Sequence, residues 1–107
     1  MRTVADSIVL VANVRSVNVL ADRPFRLLRP GTVVRVLAVG STSTVRARLY
    51  VGAVLFIDEN LLNLRATAPE EDKDIVLQPT RTPGGEIILT FISPTSDTVR
   101  WKVDILP

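Results

Sequence analysis

The sequence predicts one all-β domain over residues 1–107, a single antiparallel β-sandwich of about eight strands with a jelly-roll-like arrangement, and three observations predict it. Apolar residues make up 47% of the chain and aromatics only 5%, so a core must be built mainly from Val, Leu, Ile and Ala, the β-branched members of which suit a pleated surface. Gly, Pro, Asn, Asp and Ser cut the chain into short runs about ten residues apart, the spacing of a sandwich. Two runs, 44–51 and 98–106, alternate apolar and polar residues as a strand with one buried face requires. A chain of 107 residues accommodates one such core and is too short to divide into two.

The elements follow in chain order. Residues 8–12 read as a short apolar strand, and 15–21 as a second run of β-branched residues ended by Asp22-Arg23-Pro24. Residues 25–28 form a brief strand closed by the Pro30-Gly31 turn. Residues 32–39 are a strong strand ending in a hairpin-like loop, Gly40-Ser41-Thr42-Ser43. In the return strand Val45, Ala47, Leu49 and Val51 share one face, with Thr44, Arg46, Arg48 and Tyr50 on the other. Gly52 interrupts before 53–57, and Asp58-Glu59-Asn60 is a polar break. The leucines of 61–66 fit either a helical turn or a strand, with a strand favoured. Residues 68–74 are the most polar loop, and 75–77 a short strand ended by Pro79. Thr82-Pro83-Gly84-Gly85 reads as a hairpin turn before strand 86–92. After the turn at 93–97, the last strand sets Val99, Trp101, Val103 and Ile105 against Arg100, Lys102 and Asp104, which makes Trp101 a core residue.

The chain has neither His nor Cys, which removes the common acid–base and nucleophilic groups together with disulfide, thiolate-zinc and Ser-His-Asp chemistry. Asp58, Glu59 and the Glu70-Glu71-Asp72-Asp74 group are the carboxylates left for acid–base work, and they fall in exposed loops of a small domain. The same acidic loop, 69–74, has oxygen ligands suited to Ca²⁺, but it lacks the spacing of an EF-hand and contains Lys73. The expectation is therefore a protein that is not an enzyme and has no cofactor or metal. Pro83-Gly84-Gly85 is too short for a phosphate loop and precedes a strand. No apolar stretch approaches the roughly 20 residues of a membrane helix, and the start has no signal-peptide pattern, so synthesis in the cytoplasm is expected.

The net charge of +2 conceals an imbalance. Residues 1–50 carry eight arginines against two aspartates, a net of +6, and residues 51–107 carry −4. Complementary charged surfaces suit self-assembly or docking on a charged partner. Nucleic acid is disfavoured, because stacking aromatics are not interleaved with the arginines and only Tyr50 shares a face with Arg46 and Arg48. The segment from Asp22 to Pro30 concentrates charge, proline and large apolar residues, with Arg and Phe of interface type. Val4, Ile8, Val9, Leu10, Val11 and Val14 cannot all face inward from one strand, so part of that edge is expected under another subunit. The expected interface residues are Val4, Ile8, Arg23, Phe25, Arg26 and Arg29.

In size, strand count, His- and Cys-free composition and turn placement, with strands over 32–39, 44–51, 86–92 and 98–106, the chain resembles the decoration or cement proteins of tailed-phage heads. The resemblance implies a homotrimeric structural protein bound to the major capsid protein on the outer capsid surface of the virion. Alternatives are a carbohydrate-binding or adhesion sandwich, and a tail or baseplate component.

Overall fold

A computed structural model describes residues 2–42 and 44–106; Ser43, part of the expected loop after residue 40, lies outside the described residues. The strands are β1 (Arg2–Leu10), β2 (Leu27–Leu28), β3 (Val33–Gly40), β4 (Arg46–Val51), β5 (Val54–Leu61), β6 (Asn63–Leu64), β7 (Ile75–Arg81), β8 (Gly85–Ile92) and β9 (Asp97–Leu106). One sheet runs β1-β9-β3-β6, with β7 also paired to β3, and the other runs β2-β8-β4-β5.

The antiparallel pairs β1/β9, β2/β8, β3/β7 and β4/β5 are nested, as if one long hairpin with its tip at Gly52 had been rolled across two sheets. That is the jelly-roll arrangement, which builds two packed sheets from eight strands. The short β6 is an addition, pairing in parallel with the end of β3.

Period-two alternation fixes which faces meet. Val45 and, from β4, Ala47, Leu49 and Val51 pack with Ile87, Leu89 and Phe91 of β8 against Val34, Val36 and Ala38 of β3 and Val99, Trp101, Val103 and Ile105 of β9. Trp101 is 2% exposed, in agreement with the sequence.

Several boundaries differ from expectation. The first strand begins at Arg2 and ends at Leu10, so 8–12 marks only its end. Residues 15–21 are not a strand, and 25–28 shrinks to Leu27–Leu28. β5 continues through the polar Asp58-Glu59-Asn60 because register shifts in its pairing with β4 absorb the irregularity, with Glu59 at φ 54°. β7 continues past Pro79, which sits at the register shift between the Val34 and Val36 pairs on an edge strand, where a missing N–H is tolerated.

The turns after β3 and β7 are corners between the two sheets, not the expected hairpins. Gly84 (φ 81°) makes the second corner possible: a Cβ there would lie 2.6 Å from Pro30 N and 2.8 Å from Leu28 O.

Candidate interaction surface

Three of the sheet edges are blunted, each by a different device. β7 has Pro79, and β5 has the Glu59 irregularity. The edge of β8 is covered by the chain between β1 and β2. Asn13, Ser16 and Val19 donate their backbone N–H to the carbonyls of Ser93, Phe91 and Leu89 at 2.8, 2.8 and 3.0 Å. In return, Phe91 N–H donates to Ser16 Oγ and Leu89 N–H to Asn18 Oδ1, both at 3.0 Å. Asn18 Nδ2 donates to Ile87 O, and Ile87 N–H to Arg26 O. Side chains thus take backbone positions along this edge, which is why 15–21 cannot continue as a strand despite its β-branched residues.

The edge of β1 is different. Ala38 N–H donates to Asp74 O, so the even-numbered residues of β3 aim their backbone groups away from β9 and the odd-numbered ones toward it. Through the β3/β9 register the even residues of β9 answer β3, leaving its odd residues for β1. The even residues of β1 meet those, and Thr3, Ala5, Ser7 and Val9 aim N–H and C=O outward from the sheet. Consistent with this, Ser7 N–H donates to the Asp6 carboxylate at 2.8 Å.

Val9, Val11, Val14, Val17 and Leu27 are 53–75% exposed. Val9 lies on β1, Val11, Val14 and Val17 on the segment leading from it along β8, and Leu27 on β2, opposite Glu86 of β8. The predicted interface residues divide around them. Val4 and Ile8 are half-buried and pack against the core, and Phe25 is buried within it. Arg26 and Arg29 are exposed. Arg23 donates to Asp6 at 2.8 Å with its guanidinium 5.7 Å from the centroid of Trp101, tying the irregular segment to β1. The Ser7 hydrogen bond, with the Arg23 ion pair, holds the Asp6 carboxyl below its ordinary range. Val9, Val11 and Val14 belong to the surplus that a single strand could not bury; Val17 and Leu27 were hidden by runs that read as ordinary strands.

The charged groups elsewhere are largely engaged within the chain. Glu59 Oε1 accepts from Arg15 at 2.6 Å and forms an ion pair with Arg48 at 3.0 Å. Asp74 accepts from Arg65, Asn63 and the Glu70 N–H at 2.7–2.9 Å. Its burial opposes ionisation, but these donors outweigh it and lower the carboxyl pKa. Asp104, on the outer face of the first sheet, accepts from Thr3 and Arg35 at 2.7 Å; there too burial is outweighed and the pKa is lowered. Glu71 Oε1 receives both Lys102 and Arg35, so part of the acidic loop's charge is met by cations of the first sheet. A shallow cavity of about 440 Å³ lies among Asn13, Thr44, Arg46, Ile92, Ser93 and Pro94, beside the exposed valines of 11–14. No protein-family model, curated protein or solved structure matches the chain.

Proposed function

We propose that the protein is a non-enzymatic structural module that attaches to a macromolecular surface through its N-terminal side, in the manner of a decoration or cement protein on the outside of a capsid. The observation that carries this reading is the exposure of Val9, Val11, Val14, Val17 and Leu27, each more than half open to solvent, on a stretch of chain that also carries the exposed Arg26 and Arg29. Exposed aliphatic residues accompanied by arginine have the composition of an interface core and rim, and exposed apolar residues in this number suit a contact. Apolar burial supplies affinity, and the arginines pair with carboxylates of the partner to set orientation. On a symmetric lattice many copies bind at once, so a modest affinity per site is sufficient.

Co-sedimentation with capsid shells assembled from a major capsid protein tests the reading. The wild type is expected to pellet with the shells, and a Val14→Lys/Val17→Lys variant to stay in the supernatant while melting within about 0.5 kcal/mol of wild type. A wild type that ignores the shells sinks the capsid role, and a variant that pellets like wild type removes the valines from the contact.

A further inference from the structure

We infer that the first half of β1 pairs antiparallel with β1 of a second copy across a two-fold axis, with Val4 facing Val4. β1 is the terminal strand of its sheet, and its nine residues run in unbroken register with β9. It has no proline, lysine or bulge of the kind that protects an exposed edge.

Charge selects the register. A two-fold pairing must bring the outward-aimed residues Thr3, Ala5, Ser7 and Val9 against one another. Centred on Asp6, it sets two carboxylates face to face. Centred on Ala5, it places Arg2 opposite Ile8 and Asp6 opposite Val4, and centred on Ser7, Asp6 opposite Ile8; each leaves charge against an apolar side chain. Centred on Val4, it places Arg2 opposite Asp6 twice, as non-hydrogen-bonded pairs whose side chains approach most closely, so that each Asp6 carboxylate lies between Arg23 of its own chain and Arg2 of the other copy. Thr3 and Ala5 then exchange backbone hydrogen bonds with Ala5 and Thr3 of the other copy.

The local geometry agrees with where this pairing stops. Ser7 is the next outward residue after Ala5, and its N–H is already taken by the Asp6 carboxylate. Val9 and the valines beyond it stay uncovered, so this contact is separate from the docking surface and can fail without it. The resulting assembly is an isologous dimer, not the trimer that the family resemblance implies.

Sedimentation velocity on the intact chain over a concentration series up to about 1 mM is the first test, with a shift from monomer to dimer mass expected. Ala5→Pro removes an N–H that aims out of the sheet and leaves the β9 ladder intact. It is expected to melt cooperatively and remain monomeric, and Arg2→Glu to weaken dimerisation at least tenfold. Because the chain has no cysteine, Val4→Cys gives an unambiguous readout: a covalent dimer on a non-reducing gel after mild oxidation. A wild type that is monomeric throughout or trimeric overturns the proposal. So do an Arg2→Glu variant that dimerises like wild type and a dimer that Val4→Cys does not cross-link.

Discussion

β9 and the segment that precedes β2 are both rich in valine, yet they resolve it in opposite ways. In β9 the apolar residues fall on alternate positions and every one of Val99, Trp101, Val103 and Ile105 is buried. The polar positions between them carry an ion-pair layer on the outer face, with Asp104 held by Arg35 and Thr3. Between residues 11 and 19 valines recur without a partner strand to define two faces, and Ser16 and Asn18 divert the backbone into side-chain bonds with β8. Alternation is useful only where a ladder fixes the orientation of each residue. Without one, apolar side chains end up outside, which is the basis of the docking surface proposed above.

The sharpest contrast is in the core. Trp101→Ala is expected to destabilise the fold by about 3–5 kcal/mol, measured by chemical denaturation. Trp101→Phe should lose far less, since the indole Nε1 has no hydrogen-bond partner among the described residues and its removal relieves a buried unpaired donor. A loss from Phe as large as from Ala would show that shape, not area, governs that site.

The ion-pair layer comes next. Asp104→Asn leaves the half-buried Arg35 with only the longer, exposed contact to Glu71 and is expected to lose about 2–4 kcal/mol at neutral pH. The folded-state pKa values of Asp104 and Asp74 are lowered, so their contribution is present above the unfolded carboxylate range, about pH 4. It is lost as the pH falls through the folded values. With no histidine, stability should be flat from about pH 5 to 8 and decline only in acid. Asp104→Asn should shallow that decline, as read from denaturation midpoints across pH.

On the irregular side the effects are smaller. Asn18 Oδ1 accepts from Leu20 and Leu89, and Nδ2 donates to Ile87 O, so Asn18→Ala is expected to cost about 1–3 kcal/mol and to raise hydrogen exchange at Leu89 first. An unchanged exchange rate at Leu89 would show that water replaces the side chain there.

Strands with strict alternation were legible to the residue: the inward and outward faces of 44–51 and 98–106 are those of β4 and β9. Turn residues located the chain reversals after residues 40 and 81 but not their kind, because Gly and Pro report local backbone angles and not which strand pairs with which. The N-terminal surface was half legible. Too many apolar residues for one strand face signalled an exposed edge, but assigning Val4 and Ile8 to the core and Val9 to solvent needed the β1/β9 register. Phe25 illustrates the limit, since its interface type and its core position have the same composition.

By itself the sequence determined an all-β sandwich, a tryptophan in its core and a charge imbalance between its halves, because period, residue size and charge are properties of the chain alone. Only the tertiary structure decided that β1 has an open edge, that β8 is covered by side chains, and that Asp74, Asp104 and Glu59 are held by arginines. Those outcomes depend on long-range pairing between residues as far apart as Thr3 and Asp104, which no local pattern encodes.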